Sequence, residues 1–189
     1  MRPLKIAAIA AGTVGFILLG FLGIGFLLPG SWETERSAWI EADPESVFPH
    51  LSSAEAWQRW TPAPESGMEY FGPEEGVGSG RQWDDPGYGK GRFEVTSSTP
   101  HSLLGYLVEV EDGAITIEGT MRLEPEEGGT RIHWRERGDF GRNPLLGYIA
   151  GRMEEMQGEQ LEASLASLRR LVEEGDPLEE GEGSEVDPG

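Results

Sequence analysis

The 189-residue sequence contains no cysteine, only three histidines, and fewer than half as many basic residues as acidic ones. Without cysteine, disulfide bonds, thiolate metal sites and a cysteine nucleophile are excluded. His50, His101 and His133 show no HxxxH or HxH spacing and lack a neighbour that suggests a metal or nucleophile partner, so no metal site is predicted. The net charge of −19 repels phosphate backbones and argues against nucleic-acid binding.

A long uncharged segment lies near the N-terminus, where IAAIAAGTVGFILLGFLGIGFLL runs from Ile6 to Leu28. About 20 apolar residues cross a bilayer core as a helix, so these 23 residues predict a single transmembrane anchor. The alternative is a cleaved signal peptide, whose apolar stretch is usually about 7–15 residues and ends at a small-x-small site. Basic Arg2 and Lys5 predict a cytoplasmic N-terminus, with residues 31–189 on the extracytoplasmic side.

The composition divides the chain into three parts. Residues 1–30 form the cytoplasmic stub and the anchor, and residues 31–174 have the size of one domain with its own core. Residues 175–189, GDPLEEGEGSEVDPG, are predicted to be disordered because they are acidic, rich in Gly and Pro, and nearly free of apolar side chains.

Apolar and polar side chains alternate along much of residues 31–174, and this pattern predicts a meander of strands. A first strand at 32–40 precedes a short helix that Asp43 can cap and Pro44 can begin, and a second short helix is predicted at 54–60. Six further strands are predicted between Gly, Pro and acidic turns, at 68–71, 79–84, 91–96, 102–111, 114–124 and 130–139. Apolar residues occupy one face and charged residues the other, which is typical of an antiparallel sheet.

After Pro144 the apolar period becomes helical, and a stripe about 28 residues long runs from Leu145 to Val172. A helix of this kind needs an apolar surface to cover its stripe, and the sheet is the only surface large enough. The sequence therefore predicts an α+β fold in which a curved antiparallel sheet grips one long C-terminal helix, preceded by one transmembrane helix.

Five segments occur in an order that resembles the helix-grip fold of the SRPBCC superfamily, also called START-like or polyketide cyclase/dehydrase-like. They are IEADPESVFPHL at 40–51, WQRWTP at 57–62, GVGSG at 76–80 followed by Trp83, GGTRIHW at 128–134, and the helical stretch 156–168. The resemblance covers about residues 32–174 and implies the fold. It implies little about function, because the superfamily includes lipid carriers, hormone receptors and cyclases. GVGSG itself is predicted to be a flexible turn, since it lacks the Lys-Ser/Thr ending of a phosphate loop.

Large adaptable side chains are expected to converge between the sheet and the long helix. The predicted cavity residues are Phe93, Tyr106, Met121, Trp134, Met153 and Met156. Such a set forms either an ordinary core or a pocket for an apolar ligand. Four glycines are expected to remove side-chain volume near the same space, namely Gly105, Gly119, Gly147 and Gly151.

Glu136 shares the inward face of the last predicted strand with Ile132 and Trp134. A carboxyl at the edge of an apolar cavity would have a raised pKa and could act as an acid or a base. Strand ends also leave the core, which favours a solvated Glu136. Glu118 falls on the opposite face of its strand and is predicted to lie outside.

These features leave three functional hypotheses. The first is a membrane-anchored module that binds a hydrophobic small molecule or a lipid without a cofactor. The second is a scaffold domain with a filled core, and the third is a cyclase/dehydrase-like enzyme that uses Glu136 or Tyr106 as a proton carrier.

Overall fold

A computed structural model describes residues 2–141 and 143–175, with side chains described from residue 12 onward. The helices are α1 (Arg2–Leu27), α2 (Pro44–Val47), α3 (Pro49–Ser52) and α4 (Gly147–Glu174), with a 3₁₀ turn at Ala56–Arg59. The strands are β1 (Ser31–Ile40), β2 (Met68–Phe71), β3 (Gly80–Asp85), β4 (Gly89–Thr99), β5 (Leu103–Val110), β6 (Ile115–Glu126) and β7 (Gly129–Asp139). This order confirms the predicted sequence of elements.

All seven strands belong to one antiparallel sheet with the order β1-β7-β6-β5-β4-β3-β2. Strands β2 to β7 form the predicted meander, and β1 returns to pair with β7 along its whole length, from Ser31 opposite Asp139 to Ile40 opposite Thr130. The first and last strands in the chain are therefore neighbours in the sheet.

The predicted first short helix is present and begins as its sequence requires. The carboxylate of Asp43 accepts a hydrogen bond from the Ser46 amide at 2.8 Å, and Pro44 occupies the first helical position, where its missing N–H costs nothing. The helix is interrupted at Phe48, because Pro49 begins a separate helix. The predicted second helix at 54–60 is only the 3₁₀ turn.

Three aromatic rings on the concave face of the sheet lie over glycines of the neighbouring strand. Each ring and its glycine are direct partners in the strand register, and a Cβ on the glycine would overlap the ring. The pairs are Trp32 with Gly138, Trp83 with Gly91, and Tyr106 with Gly119. The absent side chains let the rings cross the next strand and relieve crowding on the inner face, which allows the sheet to curve.

The long helix α4 covers only one side of the concave face. It packs mainly against β1, where Gly158 lies against the Arg36 guanidinium and Arg36 Nε donates to Glu162 Oε1 at 2.6 Å. Leu161, Leu165 and Leu168 of its second half are buried in the core of the domain. The apolar stripe predicted from Leu145 to Val172 therefore packs into the main core only in this second half.

The first half of α4 extends toward α1. The rings of Tyr148 and Phe21 stack with centroids 4.4 Å apart, and Tyr148 Oη donates to the Phe21 carbonyl at 2.6 Å. Leu145 and Ile149 stay exposed. The domain is thus held against the N-terminal helix by α4.

The apolar N-terminal segment is helical, since α1 includes Ile6 and ends one residue before Leu28. Side-chain surroundings are not described for residues 2–11. In the part of the chain that the structure describes, no helix is long and apolar enough to cross a membrane, so the structure does not confirm the predicted anchor. The predicted acidic tail lies outside the described residues apart from Gly175.

The pairing of Tyr106 with Gly119 predicts a strong stability effect at one glycine. Gly119→Ala should lower the free energy of unfolding by about 1–3 kcal/mol, because the added methyl overlaps the Tyr106 ring in a packed interior. Chemical denaturation of the full chain measures the change.

Gly151→Ala is the matched control, because a methyl at this helical position meets no atom within 4 Å. It should raise the free energy of unfolding by about 0.5–1 kcal/mol through helix propensity. Equal effects of the two substitutions would show that the ring does not depend on Gly119.

Candidate functional site

A cavity of about 410 Å³ lies between the concave face of the sheet and α4, on the side that the helix leaves uncovered. Six aromatic rings line it, those of Trp57, Trp83, Tyr88, Phe93, Tyr106 and Trp134. Aliphatic side chains complete its wall, namely Val108, Val110, Ile117 and Leu161. Pockets for small molecules typically occupy about 300–1,000 Å³ and combine an apolar lining with a few polar groups, and this cavity has both properties.

One polar end of the cavity is built across three strands. Tyr106, Gly119 and Glu136 occupy successive places in one row of the sheet, from β5 through β6 to β7. Because Gly119 has no side chain, the Tyr106 ring crosses β6, and its hydroxyl donates a hydrogen bond to Glu136 Oε1. Trp134 Nε1 donates to Tyr106 Oη at 2.7 Å, and Gln157 Nε2 of α4 donates to Glu136 Oε2 at 2.8 Å.

The electrostatics of this end follow from its burial. Glu136 is only 5% exposed, and burial raises the pKa of its carboxyl even though the hydrogen bonds from Tyr106 and Gln157 act in the opposite direction. Burial, together with the neighbouring carboxyl, raises the pKa of Tyr106 well above 10. Tyr106 is therefore a neutral hydrogen-bond donor, and a protonated Glu136 could give a proton to a bound molecule.

The other polar end is formed by Arg81 of β3, which strands β4, β5 and β6 separate from Glu136. Arg81 is 7% exposed, and its guanidinium lies 5.5 Å from the centroid of the Phe93 ring. Its Nη2 donates a long hydrogen bond of 3.3 Å to Thr61 Oγ1. Burial lowers the pKa of the guanidinium.

Trp57 contacts three of the other aromatic rings that line the cavity. Its indole Nε1 donates to the Leu51 carbonyl at 2.7 Å, which satisfies its one polar group. Its ring lies 4.7 Å from that of Phe93, 4.8 Å from that of Tyr106 and 5.7 Å from that of Trp134, measured between centroids. The 3₁₀ turn thereby places one rigid side chain against the rings of three strands.

The structure brings together four of the residues singled out in the sequence: Phe93, Tyr106, Trp134 and Glu136 all line the cavity. The solvated interpretation of Glu136 is wrong, because the missing side chain of Gly119 lets Tyr106 cover it.

The three predicted methionines do not line the cavity. Met121 is fully buried in the core, and Met153 packs beside the separate cluster of Trp32, Phe140 and Ala150. Met156 is 59% exposed, so its assignment to the cavity is wrong. Both α4 methionines precede the part of the helix that packs into the main core.

The predicted contribution of the glycines also needs correction. The space above Gly119 is filled by Tyr106, and that beside Gly105 is taken by the Ser97 hydroxyl. Gly147 permits close contact with Gly25 and Leu28 at the end of α1, whereas a Cβ on Gly151 would meet open space. The glycines shape the packing, but the cavity arises from the position of α4.

Arg81, Trp57 and Gln157 are functional candidates that the sequence reasoning missed. The signal for Arg81 was present, because it alternates with Trp83 in a predicted strand and therefore shares its inward face. Nothing in the sequence shows which residues of the 3₁₀ turn and α4 reach the sheet.

The remaining candidates lie away from the cavity. His133 is half-buried on the outer face, with its ring nitrogens 3.9 Å from Glu35 and 3.7 Å from Glu124. Glu118 is exposed, as predicted. No group of three or more potential metal ligands occurs among the described residues. The GVGSG stretch is a turn, in which Gly76 and Gly78 adopt φ values of 82° and 89°.

Comparison with known proteins identifies the family. The family model described as polyketide cyclase / dehydrase and lipid transport matches residues 31–173, which is most of the chain. The chain belongs to this family. The match confirms the SRPBCC resemblance, and no curated protein matches the sequence.

Solved structures of proteins from other organisms share the fold at low sequence identity. The protein TTHA0849 of Thermus thermophilus is 22% identical with a TM-score of 0.59, covering 74% of this chain and 96% of its own. A Rhizobium leguminosarum protein is 19% identical with a TM-score of 0.56, covering 76% and 95%. Aha1 of Colwellia psychrerythraea, solved as a dimer, is 18% identical with a TM-score of 0.54, covering 76% and 97%. At these identities the likeness concerns the fold of the family domain.

The raised pKa of Glu136 predicts how the stability of the family domain varies with pH. The folded state keeps the Glu136 proton to higher pH than the unfolded state, whose carboxyl has a pKa near 4.5. This contribution to stability is fully present below pH 4.5 and is lost as the pH rises through the folded-state pKa. Glu136→Gln removes it, so the stability of the variant relative to wild type should increase with pH.

Denaturation of the full chain between about pH 5 and pH 8 measures this difference. Glu118→Gln is the matched control, since the Glu118 side chain is exposed on the outer face. A constant difference between Glu136→Gln and wild type across that range would contradict the burial of a proton-binding Glu136.

Proposed function

We propose that the domain binds a hydrophobic small molecule or a lipid in the cavity between the sheet and α4. The observation that carries the proposal is the cavity itself, with about 410 Å³ of space, six aromatic rings and polar groups at two separated ends. A scaffold with a filled core would leave no such space. The family description, which includes lipid transport, supports the same class of function.

The lining of the cavity suits a ligand whose main part is apolar and compact. Trp57, Phe93 and Trp134 present ring faces and edges that bury large apolar area at little cost in side-chain entropy. Val108 and Ile117 are only half-buried without a ligand, so a bound molecule would remove further apolar surface from water. This burial supplies the affinity in the proposal, and the polar ends supply orientation.

We also infer that residues 6–28 anchor this module in a membrane, with the domain on the extracytoplasmic side. Large apolar side chains are exposed all around the described part of α1. Their exposure is unfavourable in water but not in the lipid of a bilayer. They are Val14, Phe16, Ile17, Leu18, Leu19, Phe21, Leu22, Ile24, Phe26 and Leu27. The stacking of Tyr148 on Phe21 would keep α4 close to the bilayer, where an apolar ligand could pass between lipid and cavity.

Binding is tested with N-phenyl-1-naphthylamine, an uncharged apolar probe, added to the full chain in lipid nanodiscs. The cavity tryptophans should transfer energy to the bound probe, with saturation at one probe per chain. Val108→Trp fills the cavity and should weaken binding at least tenfold, which corresponds to about 1.4 kcal/mol.

Thr120→Trp is the matched control, because it adds the same ring on the exposed outer face. It should bind the probe as the wild type does. Equal binding by Val108→Trp and wild type would place the probe in the nanodisc lipid and reject the cavity as its site.

The anchor is tested by alkaline carbonate extraction of membranes from cells that produce the full chain. The wild-type chain should stay in the membrane pellet at its full mass. The double variant Phe16→Arg/Leu19→Arg should be released, because each central Arg costs about 2.5–3.5 kcal/mol in the bilayer. A wild-type chain shortened by about 30 residues would instead support the cleaved signal peptide.

A further inference from the structure

Arg81 carries a buried charge that the described part of the protein does not neutralise. Its Nε and Nη1 atoms are inaccessible and have no hydrogen-bond partner there. Guanidinium groups keep their charge in proteins, so burial cannot be relieved by loss of the proton. A buried cation is ordinarily paired with an anion, because removing the cation from water without such a partner costs much free energy.

The groups that face Arg81 are neutral. Thr61 offers a hydroxyl at 3.3 Å, and Phe93 offers a ring face. The titratable groups that act electrostatically on the guanidinium are the phenols of Tyr70 and Tyr88, and no carboxylate of the described residues is among them. Glu136, the buried carboxyl of the same cavity, lies on the other side of three strands and is hydrogen-bonded to Tyr106 and Gln157.

We propose that the ligand of this cavity carries one oxyanion, and that Arg81 binds it. The inference rests on the proposed function and adds the polarity and the orientation of the ligand. A carboxylate or phosphate group matches the planar fork of a guanidinium and would supply the missing hydrogen-bond acceptors. Its apolar part would lie along Phe93, Val108 and Trp134 toward the opposite end.

The far end of the cavity explains why a single anion is expected. Glu136 is an acceptor for two donors and becomes negatively charged when it ionises, so it disfavours a second anion there. An uncharged hydroxyl or carbonyl can share the Tyr106 and Gln157 donors instead. The cavity therefore distinguishes its two ends by charge, and an amphipathic monoanion fits it in only one direction.

The test compares two probes that differ only in a sulfonate, 1-anilinonaphthalene-8-sulfonate and N-phenyl-1-naphthylamine. Both are titrated into the full chain in neutral phosphatidylcholine nanodiscs, with tryptophan energy transfer as the signal. Wild type should bind the sulfonate probe at least tenfold more tightly than the uncharged one. Arg81→Met should lose at least tenfold in sulfonate affinity and leave the uncharged probe within twofold, because the Met side chain keeps the apolar stem.

Arg81→Lys keeps the charge and loses the fork, so it should recover part of the affinity for the sulfonate probe. Equal sulfonate binding by wild type and Arg81→Met would overturn the assignment of Arg81 while the cavity remains a binding site. Equal loss of both probes in Arg81→Met would also overturn it, since that result shows a structural side chain. Binding of neither probe beyond the level of Val108→Trp rejects the proposed function itself.

Competition for the bound sulfonate probe separates the two sources of the oxyanion. Decanoate, decyl phosphate and decanol share one alkyl chain and differ in the head group. Stronger displacement by decanoate assigns a carboxylate ligand, and stronger displacement by decyl phosphate assigns a phosphate ligand. Displacement by decanol equal to that of both anions would overturn the inference.

Discussion

The contact between the Tyr106 ring and Gly119 is the constraint on which the polar end of the cavity at Glu136 depends. A side chain at Gly119 would push the ring away from β6, and the hydroxyl could then no longer reach Glu136 on β7. The same absence relieves the inner face of the sheet and permits its curvature, as Gly91 and Gly138 do beneath Trp83 and Trp32. The absence of a side chain at Gly119 thus affects both the curvature of the sheet and the burial of the Glu136 carboxyl.

The second requirement is that α4 covers the sheet unevenly. Gly158 allows the helix to approach Arg36 on β1, and the Arg36–Glu162 ion pair lies on the same side. Strands β3 to β6 consequently face open volume, lined by rings that would otherwise pack against a helix. Gln157 bridges from α4 to Glu136 at the border of that volume, so the helix that leaves the cavity open also satisfies its carboxyl.

Local periodicity predicted most of the fold, because alternation along a strand is set by the backbone alone. It placed Phe93, Tyr106 and Trp134 on the inner face correctly. Met153 and Met156 were misplaced, since a helical stripe shows which residues share a side but not where the helix runs past the sheet. The position of Glu136 near a strand end predicts exposure to solvent, but its burial depends on Gly119 of the adjacent strand, and only the strand register shows that the two are paired.

The separation of Arg81 from Glu136 is itself informative. A direct pair of these two charges would cancel within the core and could be replaced by apolar residues of similar volume with little loss of stability. Because the two groups lie apart, the burial of each one destabilises the folded protein. Two hydrogen-bond donors reduce this cost for Glu136, and one long hydrogen bond and the Phe93 ring reduce it for Arg81. In the proposal, a ligand with an anionic end would offset the cost of the buried Arg81 charge on binding, because Nε and Nη1 of Arg81 have no partner among the described residues.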